Sequence, residues 1–93
     1  AEDHHNARVL AEGLAEIDGL HVDLQWVQTN IIMFDLVRPG LTPEQLVAAW
    51  ARQGVKIGVN GPKRFRAVTH YGITEADVRA ALATVRQVMK EVM

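Results

Sequence analysis

The segment Phe65–His70, FRAVTH, is the starting point for interpreting the sequence, because it combines a strand pattern with a charge. Its residues alternate in character, and turn residues precede it, which together predict a β-strand. One face of this strand would carry Phe65, Ala67 and Thr69, and the other would carry Arg66, Val68 and His70. An arginine within a short apolar strand is either a sheet-edge charge without a task or a rigid fork that binds a carboxylate or phosphate.

Strand-like and helix-like stretches surround this segment. Strand-forming residues dominate His21–Val27, Asn30–Val37, Val55–Val59 and Arg64–His70, with Gln28-Thr29 and Asn60-Gly61-Pro62 as turns. Apolar residues at helical spacing predict three buried helix faces, formed by Ala7, Leu10, Leu14 and Ile17, by Leu46, Val47 and Trp50, and by Val78, Leu82, Val85, Met89 and Val92.

The helix ends are predicted from capping residues. The N-terminal caps would be Asp3 or Asn6 for the first helix, Thr42 with Gln45 for the second, and Thr74 with Asp77 for the third. Pro43 suits the first position of the second helix, because its fixed φ angle is already helical. The first helix is predicted to end at Asp18-Gly19 and the second at Gly54.

The order α-β-β-α-β-β-α predicts one α+β domain over residues 1–93. Strands joined by short turns pair antiparallel, so we expect an antiparallel sheet of about four strands with helices mainly on one face. The other face is expected to be apolar through Ile31, Met33 and Phe34. Such a face would be covered by a surface outside these residues, or the isolated piece would self-associate through it and Trp26.

The composition argues against several classes of binding partner and chemistry. The formal net charge is −1 and aromatic residues are few, so nothing predicts a nucleic-acid or acidic-membrane partner. The chain has no cysteine, which removes disulfides and thiolate chemistry and agrees with a cytoplasmic location. Its apolar runs are far shorter than the roughly 20 residues that span a bilayer.

The histidines and lysines do not predict a metal or Schiff-base site. The four histidines lack the spacing of a metal motif. Lys56, Lys63 and Lys90 are not surrounded in sequence by the apolar residues that lower the pKa of a Schiff-base lysine. The sequence therefore predicts no metal ligand and no catalytic residue within this chain.

Three further polar positions remain open to interpretation. Asn60-Gly61-Pro62 is typical of a plain turn, since one glycine does not make a phosphate cradle. His70 is expected to bond to backbone or cap a helix, although a histidine there could also act as a base. Asp35 interrupts an apolar strand, and it either pairs with a nearby cation or faces a domain seam.

Four stretches together resemble one protein family. They are Glu2–Leu20 (EDHHNARVLAEGLAEIDGL), Val27–Leu36 (VQTNIIMFDL), Gly54–Pro62 (GVKIGVNGP) and Phe65–Leu82 (FRAVTHYGITEADVRAAL). In order and spacing they look like the C-terminal small domain of low-specificity L-threonine aldolases. These are pyridoxal-phosphate (PLP) enzymes of the aspartate-aminotransferase-like fold type I, in the β-eliminating lyase family.

The resemblance implies a task for Arg66. In the family, the arginine of the R-x-V-T-H strand holds the α-carboxylate of the substrate amino acid, which orients the breaking bond against the cofactor. Asn60 would border the same pocket. The family's Schiff-base lysine belongs to its large N-terminal domain, so PLP would be bound outside this segment, and residues 1–93 alone are expected to be inactive.

For the whole protein, the resemblance implies a PLP-dependent carbon–carbon lyase that cleaves threonine or allo-threonine to glycine and acetaldehyde. The chain would then be the C-terminal fragment of a two-domain enzyme, with the large domain in the same or a separate chain, assembled as a homodimer or homotetramer. The alternatives are another β-hydroxy amino acid aldolase of the same fold, a free-standing α+β ligand-binding or regulatory module, and an inert assembly domain.

Overall fold

A computed structural model of the chain describes residues 2–23, 31–68 and 73–92. Within these residues the chain forms three helices and four strands, in the order that the sequence predicts. The elements are α1 (Glu2–Ala15), β1 (Leu20–Val22), β2 (Ile31–Leu36), α2 (Pro43–Arg52), β3 (Gly58–Val59), β4 (Arg64–Val68) and α3 (Glu75–Glu91). The predicted α+β class is confirmed.

The four strands form one sheet in the order β1-β2-β4-β3, and every neighbouring pair is antiparallel. In the register of β2 with β4, Phe34 lies opposite Phe65, and Asp35 lies opposite Arg64. One face of the sheet is buried beneath the helices through Leu20, Val22, Ile32, Phe34, Leu36, Phe65 and Ala67. The expected two-layer arrangement, with helices on one face, is therefore confirmed.

The strand boundaries differ from the predicted ones. β1 is Leu20–Val22, whereas His21–Val27 was predicted, and β2 ends at Leu36, one residue before the predicted Val37. β3 contains only Gly58 and Val59, although Val55–Val59 was the predicted strand. Only these two residues pair with β4, and the backbone N–H of Val55 instead donates to the carbonyl oxygen of Trp50 in α2. The turn predicted at Gln28-Thr29 and the strand end at Thr69 and His70 lie outside the described residues.

Both predicted capping boxes are present. The backbone N–H of Gln45 donates to Thr42 Oγ1 over 3.3 Å, and the N–H of Thr42 donates to Gln45 Oε1 over 3.0 Å. Thr74 and Asp77 make the equivalent pair of bonds at the start of α3, over 3.1 and 3.0 Å. Each box satisfies donors that the first helical turn leaves without a partner.

The predicted caps of α1 are wrong, because this helix already begins at Glu2 and therefore includes Asp3 and Asn6. Asn6 is only 2% exposed, and its Nδ2 donates to the carbonyl oxygen of Ile73 over 2.8 Å. The side chain thus joins α1 to the segment that leads into α3. The helix also ends at Ala15, before the predicted stop, and a turn then leads to Gly19.

A second contact joins the same two helices at the surface. His5 Nε2 lies 2.6 Å from Glu75 Oε1, and Arg79 Nε donates to Glu75 Oε2 over 2.9 Å. These bonds lower the pKa of Glu75 from its ordinary value of 4.5, with the hydrogen bond from His5 as the largest cause and that from Arg79 next. The pair of Glu75 with Arg79 on α3 is thereby extended to His5 on α1.

The core contains the predicted apolar faces around a cluster of three aromatic rings. Phe65 stacks on Phe34 with ring centroids 4.8 Å apart, and its centroid is 5.1 Å from that of Trp50. All three side chains are at most 1% exposed. One member of the predicted α3 face is wrong, since Val92 follows the helix and is 38% exposed.

We expect Phe65→Ala to lower the free energy of unfolding by about 3–5 kcal/mol, because it removes the ring that contacts both other aromatics and leaves a cavity. Val59→Ala is the matched control, since Val59 is on the neighbouring strand but 39% exposed. Its cost should stay within about 0.5 kcal/mol. Urea denaturation measures both, and a loss below about 1 kcal/mol for Phe65→Ala would contradict this account of the core.

Glu75 should make stability depend on pH on the acid side. Its pKa is lower in the folded state than in the unfolded state, so the stabilisation is complete above the unfolded pKa and is lost as pH falls through the folded pKa. We expect Glu75→Gln to reduce the loss of melting temperature between about pH 7 and about pH 3. Glu16→Gln, an exposed control after α1, should retain the wild-type pH dependence. Parallel curves for Glu75→Gln and wild type would contradict the prediction.

Candidate functional site

The outer face of the sheet, which points away from the helices, is the candidate site. It consists of His21 on β1, Ile31, Met33 and Asp35 on β2, and Arg64, Arg66 and Val68 on β4. Ile31 and Met33 lie on this face, as the sequence predicts, and are half-buried. The prediction is wrong for Phe34, because alternation along β2 places its ring in the core. The outer face is therefore more polar than predicted, and Trp26 lies outside the described residues.

Arg66 lies in the middle of β4 with its backbone held on both sides. Met33 of β2 and Gly58 of β3 are its partners across the two ladders. The flanking residues Phe65 and Ala67 are buried, at 0% and 4% exposure, whereas Arg66 itself is exposed. The strand is thus anchored from below while the guanidinium remains in solvent, which is the arrangement that the strand pattern predicts.

The neighbours of Arg66 leave its guanidinium accessible. Gly58 carries no side chain that could cover it, and Met33 offers a thioether without charge. Within residues 2–23, 31–68 and 73–92, Arg66 makes no ion pair and no side-chain hydrogen bond. An exposed, unpaired arginine fork on a rigid strand can bind a carboxylate or phosphate by two parallel hydrogen bonds.

Asp35 pairs with Arg64, which confirms the nearby cation that the sequence offers as one interpretation of it. Arg64 Nε donates to Asp35 Oδ1 over 2.8 Å, and the two side chains are 53% and 33% exposed. The hydrogen bond, and then the charge of Asp35, raise the pKa of Arg64. Sequence patterns missed this pair, because they do not specify the register that sets Asp35 opposite Arg64.

Asn60 borders the same face. It is exposed just after β3, and its Nδ2 lies 4.0 Å from Sδ of Met33, the residue opposite Arg66. Its backbone N–H donates to the carbonyl oxygen of Arg64 over 2.8 Å, so the turn is closed onto β4. His70, the other polar residue of the predicted strand, lies outside the described residues.

The described residues do not fit a site for PLP. Lys56, Lys63 and Lys90 are all exposed, and Lys63 Nζ donates to the carbonyl oxygen of Leu41 over 3.4 Å. None has the apolar enclosure that a Schiff-base lysine needs. In the same described ranges, no cluster of three or more histidine, aspartate or glutamate side chains could hold a metal ion. No described helix is both long and apolar enough to cross a membrane.

A cleft of about 470 Å³ lies on the opposite side of the sheet, between the α2–β3 connection and α3. Its wall includes small and apolar residues such as Val55, Ala81 and Thr84. Asp77 also borders it, but this carboxylate already accepts the N–H of Thr74 in the capping box. Arg66 is not among its lining residues, although Val68 at the end of β4 borders both the cleft and the outer face.

Two curated proteins of Arabidopsis thaliana are similar to nearly the whole chain. Low-specificity L-threonine aldolase 1 is 35% identical over 94% of this chain, and probable low-specificity L-threonine aldolase 2 is 37% identical over 88% of it. The chain spans only 25% and 23% of their respective lengths. No protein-family profile matches the chain.

Solved structures confirm the fold. A NifS-like protein superposes with a TM-score of 0.82 over 97% of this chain and 28% of its own, at 14% identity. A C-DES mutant with glycine covalently linked to the PLP cofactor superposes with a TM-score of 0.78 over 91% of this chain and 22% of its own, at 20% identity. At these identities the likeness establishes the fold alone.

Sequence and fold agree on one assignment. The relatives at 35–37% identity are threonine aldolases, and the α+β architecture matches the small domains of fold-type I PLP enzymes. The matched region is about a quarter of each curated relative. By sequence, the chain therefore belongs to the family of low-specificity L-threonine aldolases, as a segment with the fold of a PLP fold-type I small domain.

Proposed function

We propose that this chain supplies the substrate-carboxylate clamp of a PLP-dependent aldolase, which cleaves threonine or allo-threonine to glycine and acetaldehyde. The observation that carries the proposal is Arg66, an exposed guanidinium that pairs with none of the described residues, on a strand whose backbone is held from both sides. The relatives named threonine aldolases support the reaction class.

In this proposal Arg66 binds the α-carboxylate of the amino acid with two parallel hydrogen bonds. Fixing the carboxylate restricts rotation of the substrate, which orients the bond to be broken and removes an entropy cost from the reaction. Asn60 forms the edge of the same pocket through its position beside Met33. The chain thus acts by binding and orienting the substrate.

PLP would supply the electron sink for carbon–carbon cleavage. Because the described lysines are exposed and the matched segment is a quarter of the relatives' length, we place its covalent lysine outside this segment. The partners would be a large PLP-binding domain, in the same or another chain, and further copies in a homodimer or homotetramer. Another β-hydroxy amino acid aldolase would use the same clamp, and only the aldehyde product separates the two.

Replacing Arg66 tests the clamp in the full-length protein. We expect Arg66→Ala to reduce kcat/KM for threonine cleavage by about 10- to 100-fold, since a hydrogen-bonded charge contributes about 1.5–3 kcal/mol. Arg66→Lys should fall between this variant and wild type, because it keeps the charge and loses the fork. Acetaldehyde formation from L-threonine measures both.

Arg86→Ala is the matched control for this test, since Arg86 is exposed on α3 and far from the outer face in the fold. It should leave kcat/KM unchanged. If Arg66→Ala leaves kcat/KM unchanged as Arg86→Ala does, Arg66 does not bind the substrate carboxylate. The chain is then better described as a ligand-binding or assembly module.

The isolated segment provides a separate check. Purified residues 1–93 mixed with PLP should release no acetaldehyde from L-threonine, because the described residues contain no enclosed lysine for the cofactor. The full-length protein under the same conditions is the positive control. Cleavage by the segment alone would contradict the placement of the PLP lysine outside it.

A further inference from the structure

The outer face contains two arginines but one described carboxylate within reach of both. Arg64 and Arg66 are two residues apart on β4, so their side chains leave the sheet on the same side. Asp35 lies directly opposite Arg64 and is therefore the diagonal neighbour of Arg66. Diagonal neighbours on adjacent antiparallel strands are about 7–8 Å apart, which long side chains can bridge.

In the structure, the Asp35 carboxylate pairs with Arg64 and not with Arg66. Asp35 Oδ1 accepts from Arg64 Nε over 2.8 Å, and Arg66 has no ion-pair partner among the described residues. Both members of the pair are substantially exposed, at 53% and 33% of their side-chain surface. Exposed ion pairs of this kind contribute little to stability. The pair matters less for stability than for Arg66, whose guanidinium it leaves without a carboxylate partner among the described residues.

We propose that Arg64 is a positioning residue that holds Asp35 away from Arg66, so that the Arg66 guanidinium stays open for the carboxylate of an incoming amino acid. This inference rests on the proposed function of Arg66. Without Arg64, the Asp35 side chain could turn to the diagonal arginine and occupy its fork. A tethered carboxylate is present at millimolar or higher effective concentration, and it would compete directly with a free substrate.

The proposal predicts that removing Arg64 weakens substrate binding, whereas removing the charge of Asp35, its partner in the same ion pair, does not. Arg64→Ala breaks the pair and releases a carboxylate beside Arg66. Asp35→Asn breaks the same pair but leaves no competing anion. A pair that only supported the β2–β4 register would make both substitutions similar, since each removes the same contact.

Glycine binding to the full-length protein, measured by isothermal titration calorimetry, tests this asymmetry. We expect Arg64→Ala to raise the dissociation constant about threefold to tenfold, as a neighbouring carboxylate blocks Arg66 for part of the time. Asp35→Asn should stay within about twofold of wild type, and Arg64→Ala combined with Asp35→Asn should return to the value of Asp35→Asn. In steady-state kinetics Arg64→Ala should raise KM and leave kcat unchanged, because saturating substrate displaces Asp35.

The outcomes separate this inference from the proposed function. An equal loss of affinity in Arg64→Ala and Asp35→Asn, an unchanged affinity in Arg64→Ala, or a double variant as weak as Arg64→Ala would overturn the role of Arg64. Arg66→Ala, measured alongside, tests the clamp itself, and an unchanged glycine affinity there would overturn the proposed function. Melting temperatures of all variants identify any that fails to fold, in which case Arg64→Gln replaces Arg64→Ala.

Discussion

The burial of Phe65 determines the geometry of the outer face. Its ring stacks on Phe34 and contacts Trp50, and all three rings are excluded from solvent. Side chains alternate along a strand, so a buried Phe65 requires Arg64 and Arg66 to point away from the core. A slip by one residue would bury two guanidinium groups and expose the ring, at a large desolvation cost. The aromatic cluster and the arginines therefore enforce one another's positions.

The position of β4 within the sheet gives Arg66 a rigid base and an open side chain. β4 is hydrogen-bonded to β2 on one side and to β3 on the other, although β3 contributes only Gly58 and Val59. A fork held in this way loses little further backbone freedom when it binds an anion, which is the general advantage of preorganisation. The pairing of Asp35 with Arg64 also matters, because it neutralises Arg64 and leaves the neighbouring Arg66 available to bind an anion.

The N-terminal sequence DHHNA, part of the family resemblance, has a structural explanation in the contacts of α1 with α3. Asn6 donates to the carbonyl oxygen of Ile73 from a buried position, and His5 contacts Glu75 at the surface. Ala7, the next residue along α1, is fully buried in the core. His5 and Asn6 thus join the first helix to the start of the last one.

The sequence by itself determined the element order, both capping boxes and the inward and outward sides of β4. These features depend on local periodicity and on hydrogen bonds between residues three positions apart, which a linear pattern contains. It also indicated Arg66, through a charge on an apolar strand. The tertiary structure alone decided the partner of Asp35 and the tertiary role of Asn6. Each of these depends on strand register or helix docking, which bring together residues as distant as Asn6 and Ile73, and no local pattern specifies such pairings.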